Sequence, residues 1–205
     1  MWWLVRIVTW CYGRRDESPR ISESYKPCYA QPIWLCSLSR CIFMRLGLIS
    51  DTHDRIPMIE KAVEIFNGES LAAVLHCGDF VSPFSMIPFQ RLQSPFYAVF
   101  GNNDGERSGL TQFFKVNGWT LNERPWTLEL DGRRVAMLHE PANMDTYILN
   151  GGAELIVFGH THEKHFQKSN GVMVINPGEG CGWVKGTASM AIVDLEKKEN
   201  RFINL

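Results

Sequence analysis

Acidic, amide and imidazole side chains recur in this 205-residue chain directly after short apolar runs. In order they are Ser50-Asp51-Thr52-His53, Gly78-Asp79, Gly101-Asn102-Asn103-Asp104, His139, and Gly159-His160-Thr161-His162. Asp51, His53, Asp79, Asn102, His139, His160 and His162 offer seven oxygen and nitrogen donors, enough for two metal ions sharing one carboxylate. Metal-assisted hydrolysis of a phosphoester is the chemistry such a set suits. Asp51 and His53 are two apart, so an extended backbone turns both to one side. His160 and His162 repeat that spacing. Asp79 has two oxygens and can serve two ions, and Asn102 contributes a neutral carbonyl oxygen. Asp54, His76, Asp145 and His165 stand outside the ordered set and read as turn, cap or packing residues. Asp104 reads as a supporting residue.

The elements that must position this set alternate. Residues 44–49 form an apolar strand, and Ile56, Ile59, Val63 and Phe66 then fall at helical spacing before Gly68. A strand at 72–75, a short helix at 82–92 with Pro83 in its first turn, a strand at 96–100 and a helix at 108–116 follow. Asp131-Gly132 and Asn170-Gly171 then mark two hairpins, 126–138 and 164–175. Between them lie a short helix at 144–150 and a buried strand at 155–158. Residues 187–194 and 201–204 form a third hairpin. Parallel-type units thus precede antiparallel ones, which predicts an α/β fold of two mixed sheets packed face to face with helices outside. The polar clusters fall at strand ends, where α/β folds place their sites. Trp183 and Phe84 are expected in the core, with an exposed place at an interface as the alternative.

Composition narrows the class. Hydrophobic residues make up 45% and charged residues 21%, with net charge -1 and no basic stripe, so no strong nucleic-acid signal exists. No apolar run reaches membrane-spanning length, and no membrane partner is expected. No G-x-G-x-x-G follows the first strand, which argues against a dinucleotide enzyme. The six cysteines show no C-x-x-C, so the expected setting is reduced and cytoplasmic. Residues 1–43 differ from the rest: they hold four of the seven tryptophans and follow neither a helical nor a strand period. They read as an N-terminal extension, poorly ordered or upstream of a true start at Met44.

The ordered set S-D-T-H, G-D, G-N-N-D, a strand-end His and G-H-T-H resembles the calcineurin-like metallophosphoesterase superfamily. Its short single-domain prokaryotic phosphodiesterase branch fits best. The resemblance spans residues 44–205, including Asn176-Pro177-Gly178-Glu179. It implies a four-layer α/β/β/α sandwich. It implies one ion held by Asp51, His53, Asp79 and His162, and another held by Asp79, Asn102, His139 and His160. A hydroxide bridging two divalent metals would be the nucleophile, and the cations would outweigh the two carboxylates and leave the site positive. Mn²⁺ is the first expectation for the cofactor, with Ni²⁺, Zn²⁺, Fe²⁺ or Mg²⁺ as alternatives. The implied activity is that of a phosphodiesterase on a small phosphodiester. A phosphomonoesterase on the same site, or a non-catalytic protein-interaction scaffold of the same fold like the retromer subunit, are the alternatives. Homo-oligomer formation stays open.

Two positions depart from the family pattern. Relatives often carry G-N-H-D or G-N-H-E, whose His contacts the phosphate or protonates the leaving group; here Asn103 stands in that place. An amide can hydrogen-bond a phosphoryl oxygen but has no proton to give near pH 7. Glu140 stands where relatives often have Gly. Asn103 as a catalytic-site amide predicts that esters with acidic leaving groups turn over best. Rates across aryl and alkyl diesters of rising leaving-group pKa should fall steeply, and a flat dependence would refute this role.

Overall fold

The computed structural model describes residues 44–205 apart from Asn143 and Gly151, and the expectation for residues 1–43 lies outside the described residues. Strands β1 (Arg45–Ile49), β2 (Ala73–His76), β3 (Phe96–Val99) and β4 (Thr120–Asn122) run parallel to one another. Later strands β10 (Ser189–Asp194) and β11 (Glu199–Asn204) complete this sheet, in the order β11-β10-β1-β2-β3-β4. The second sheet has the order β5-β6-β7-β9-β8, from β5 (Trp126–Leu130), β6 (Arg133–Met137), β7 (Leu155–Val157), β8 (Lys164–Ser169) and β9 (Val172–Pro177). Here β6, β7 and β9 are parallel, while β5 and β8 are antiparallel edges.

Strict alternation along these strands produces the layers. Leu46 and Leu48 of β1 and Leu75 of β2 meet Val135, Met137, Leu155, Val157 and Ile175 from the second sheet, and this is the core between the sheets. The intervening side chains face the other way. Ile49, Val74 and Ala98 pack under helices α1 (Ile56–Asn67) and α2 (Arg107–Val116). Ala136, Leu138, Ile156 and Phe158 pack under the short helix α3 (Met144–Leu149). The result is the expected α/β/β/α sandwich, with the central strands of each sheet buried on both faces and the edge strands β5, β8 and β11 partly exposed.

Local chemistry explains the connections. Asp131-Gly132 and Asn170-Gly171 both have positive φ at their two central residues, as tight hairpins require. The helix expected at 82–92 is a 3₁₀ helix, Pro83–Arg91, with Pro88 inside it. Pro88 has no N–H for an α-helical bond, so the tighter winding is the available one. Strand β4 was not anticipated, because three residues carry too little pattern. Among the described residues no helix is long and apolar enough to cross a membrane.

Gly47, in the middle of β1, lies where α1 presses onto the sheet. A Cβ there would stand 2.5 Å from Phe66 Cε1 and 2.9 Å from Leu71 Cδ1. Gly47→Ala should therefore overpack this layer and cost about 1–3 kcal/mol in urea unfolding, with the m-value unchanged. A variant as stable as the wild type would disprove this contact's tightness.

Candidate metal centre

All seven candidate ligands sit just beyond the carboxyl ends of parallel strands, drawn from both sheets. Asp51 and His53 follow β1, Asp79 follows β2, and Asn102 follows β3. His139 follows β6, and His160 and His162 follow β7. Five of them, Asp51, His53, Asp79, His160 and His162, have φ between 38° and 64°. None is glycine, so each costs roughly 1 kcal/mol against an ordinary conformation. The turns persist because they are laced together. Asp51 N–H donates to the Gly78 carbonyl at 3.0 Å, His53 N–H to the Asp79 carbonyl at 3.1 Å, and Cys181 N–H to the Asp51 carbonyl at 3.0 Å. The His160 N–H reaches across from the second sheet to Asp51 Oδ2 at 3.1 Å.

Neighbouring glycines let these turns close. A Cβ on Gly101 would lie 2.1 Å from Asp79 Oδ1, and one on Gly159 would lie 1.9 Å from Ser50 Oγ. Asp104 holds the Asp79 turn from below: its buried carboxylate accepts N–H groups from Asp79, Phe80, Val81 and Gly101 at 2.6–3.0 Å. Asp54 accepts from the Ser82 N–H and hydroxyl at 3.1 and 2.6 Å, which ties its turn to the start of the 3₁₀ helix. Buried His76 accepts the Gly78 N–H at Nδ1 and faces Thr52 Oγ1 with Nε2. Burial depresses its pKa well below the ordinary value, so it stays neutral. These are supporting roles, as their isolation in sequence suggested.

The donor atoms converge. His139 Nε2 lies 2.7 Å from Asn102 Oδ1 and 3.4 Å from Asp79 Oδ1. His160 Nδ1 lies 2.8 Å from the same Asn102 oxygen. His53 Nε2 stands 3.5 Å from Asp79 Oδ2 and has no hydrogen-bond partner among the described residues, although buried. His162 Nε2 stands 3.6 Å from Asp51 Oδ1. Oxygens and imidazole nitrogens that point at one another without intervening donors are what a cation would gather. Asp51, Asp79 and His139 form the buried floor, while Asn102 and His160 are exposed at the rim.

Ring orientations are set from behind. His139 Nδ1 lies 2.7 Å from the Cys77 carbonyl, so the proton belongs there and Nε2 faces the centre with its lone pair. His162 Nδ1 lies 2.8 Å from buried Glu179 Oε2, which fixes the same tautomer. Electrostatics agree with a site short of positive charge. Burial raises the Asp51 carboxyl above the ordinary range. For Asp79 burial is opposed and outweighed by the neighbouring His139 imidazole and by hydrogen bonds from Asn103, which hold its carboxyl well below that range. Burial likewise opposes a charged His139, but Asp79 and Asp51 raise its pKa. Divalent cations would supply the countercharge that two buried carboxylates call for.

Asn103 lies on this site. Its N–H donates to Asp79 Oδ1 at 2.8 Å and its side-chain amide to Asp79 Oδ2 at 2.7 Å. The residue is exposed, and its amide has a second N–H beyond the one given to Asp79. Glu140 is taken up by Arg124 in a two-point pair at 2.6 and 2.8 Å, and Arg124 also donates to the Phe100 carbonyl at 2.9 Å. That pairing holds the Glu140 carboxyl below its usual range and neutralises it beside His139. Nothing in the sequence links positions 124 and 140. Glu179 had a fainter signal, an acid between two glycines directly after a buried strand. The core placement expected for Trp183 and Phe84 is overturned: they are 64% and 59% exposed, on a loop and on the outer face of the 3₁₀ helix.

The profile of the calcineurin-like phosphoesterase superfamily domain matches residues 44–198. The chain is 41% identical over 165 residues to a phosphodiesterase of Methanocaldococcus jannaschii, covering 79% of this chain and 99% of that protein. A solved archaeal phosphodiesterase, also 41% identical, superposes with a TM-score of 0.75 over 79% of this chain and all of that one. Vacuolar protein sorting 29 from Cryptosporidium parvum, at 15% identity and a TM-score of 0.53, covers 79% of this chain and 96% of its own, and shares the fold.

Because Glu179 fixes His162 from behind, Glu179→Gln should weaken divalent-metal binding by about 10–100-fold while the fold is retained. Competition titration of Mn²⁺ against a chelating dye would measure it; wild-type affinity in the variant would remove Glu179 from the site.

Proposed function

The chain belongs to the calcineurin-like phosphoesterase superfamily, and we propose that it is a metal-dependent phosphodiesterase acting on a small diester. The observation that carries this reading is the convergence of seven oxygen and nitrogen donors from two sheets around the buried carboxylate of Asp79. The M. jannaschii relative bears the name phosphodiesterase, which favours diesters over monoesters. In this reading Asp51, His53, Asp79 and His162 hold one cation, Asp79, Asn102, His139 and His160 hold the other, and Mn²⁺ is the first candidate. When bound, the pair would supply a shared hydroxide as nucleophile and positive charge toward the phosphoryl oxygens.

The chain's own residues do the remaining work. Cys77 and Glu179 aim the lone pairs of His139 and His162 inward. Asn103 steadies Asp79 with one amide N–H and offers the other to a phosphoryl oxygen. It has no titrating proton for the leaving group. Arg124 cancels the charge of Glu140, so an anionic ester does not meet a bare carboxylate at that edge. The open rim at Asn102 and His160 admits substrate. The two free cysteines among the described residues, Cys77 and Cys181, are buried, in keeping with a reduced, cytoplasmic setting. A scaffold role of the kind associated with this fold has less support, since every ligand position is filled.

Mn²⁺-loaded protein should hydrolyse an aryl phosphodiester with higher kcat/KM than the matched monoester. Chelation or Asp79→Ala should lower the rate by at least about 100-fold. Full activity in excess chelator would reject metal dependence, and a preference for the monoester would reject the diester assignment.

A further inference from the structure

Trp183 is the largest exposed aromatic side chain near the proposed centre, and it is held there by contacts that a disposable surface residue would lack. Its indole N–H donates to the carbonyl of His53, a proposed ligand, at 3.4 Å. The Arg55 guanidinium covers one face of the ring at 4.6 Å from its centroid. Arg55 in turn hydrogen-bonds the Cys181 carbonyl two residues before Trp183. With that face covered, the 64% exposure of the residue leaves the opposite face open to solvent.

The loop beneath the ring is anchored to the same group that orients His162. Glu179 accepts the backbone N–H groups of Val184 and Lys185 while holding His162 Nδ1 at 2.8 Å. Gly182 makes the turn possible, with φ of 67° and no room for a Cβ, which would stand 2.6 Å from Ala188 N. Lys185 pairs with Glu163, the residue after His162, at 2.6 Å. An indole with one face supported, its edge pinned and its loop tied to the carboxylate that orients His162 has little conformational entropy left to lose on binding. Such a ring is suited to be a stacking platform, and its hydrogen bond to the His53 carbonyl ties it to the backbone of a proposed ligand.

We infer that Trp183 stacks on the planar substituent of the diester, and that the substrate class is a small nucleoside phosphodiester whose base lies on the free face of the indole. This assignment rests on the phosphodiesterase reading and adds a substituent to it. The ring's π-face takes any base, so the contact recognises a nucleoside without reading sequence. The lack of a basic stripe fits one nucleoside better than a polymer, whose further phosphates would call for cations along a track.

The test compares two diesters with the same leaving group, thymidine 5′-(p-nitrophenyl phosphate) and methyl p-nitrophenyl phosphate, on the full Mn²⁺-loaded chain. The wild type should prefer the thymidine diester in kcat/KM. Trp183→Ala should reduce that preference by about tenfold, within the range of base stacking on one aromatic side chain, and Trp183→Phe should retain most of it. Calorimetric titration with thymidine 5′-monophosphate and with inorganic phosphate should show the same fall in relative affinity in Trp183→Ala. An unchanged preference together with unchanged relative affinity would overturn the platform, as would an equal loss on both diesters and both ligands. If neither diester is cleaved, the phosphodiesterase reading fails, and the two titrations alone decide whether Trp183 carries the base.

Discussion

Burying Asp51 and Asp79 side by side, where two sheets meet, is the constraint from which the rest of the site follows. Two carboxylates away from water repel each other and lose hydration, and among the described residues neither has an Arg or Lys partner in its hydrogen-bond and ion-pair contacts. Among the described residues, imidazoles, an amide and backbone N–H groups face them, with the Ser50 hydroxyl beside Asp51. Such an arrangement is costly for a bare protein and natural for one that concentrates divalent charge. The left-handed turns at five candidate ligands and the tight approaches at Gly101 and Gly159 are further costs, offset by the buried aliphatic layers on either side. Stability made in the hydrocarbon layers thus supports a strained and charged rim at one end of the sandwich.

Much of this was legible in the sequence because period-two alternation and the Asp-Gly and Asn-Gly turns are local signals. The strands, the two tight hairpins and the ordering of ligand residues at strand ends all have such signals. Features that depend on contacts between distant segments do not. The Arg124–Glu140 pair joins two loops, and the reach of Glu179 to His162 crosses from the end of β9 to the loop after β7. The 3₁₀ winding at Pro83–Arg91 was within reach, since Pro88 rules out a regular α-helix, but helical spacing alone outweighed it. Trp183 and Phe84 misled for a different reason. Hydrophobicity predicts burial on average, and an aromatic residue placed outward shows itself only once its surroundings are known.

Glu179 stands directly behind the candidate ligand His162. One buried carboxylate sets the tautomer of His162, hangs the 183–185 loop and accepts the Cys181 thiol at 3.5 Å. A disturbance of the rim loop therefore reaches a ligand through a single side chain. Asp104 performs the equivalent task at the other end, gathering four backbone N–H groups so that Asp79 can turn inward.

Strand β6 shows how this design constrains change in chain length. Val135 and Met137 face the inner layer, Ala136 and Leu138 the outer one, and His139 continues the inner row by one further step. The strand is in effect a ruler whose last mark is an imidazole. Deleting one residue from it would exchange the two hydrocarbon layers and swing that imidazole to the opposite side of the sheet. Lineages of this chain are therefore free to gain and lose residues in the hairpin tips and helix connections. The strands that end in candidate ligands must keep their count.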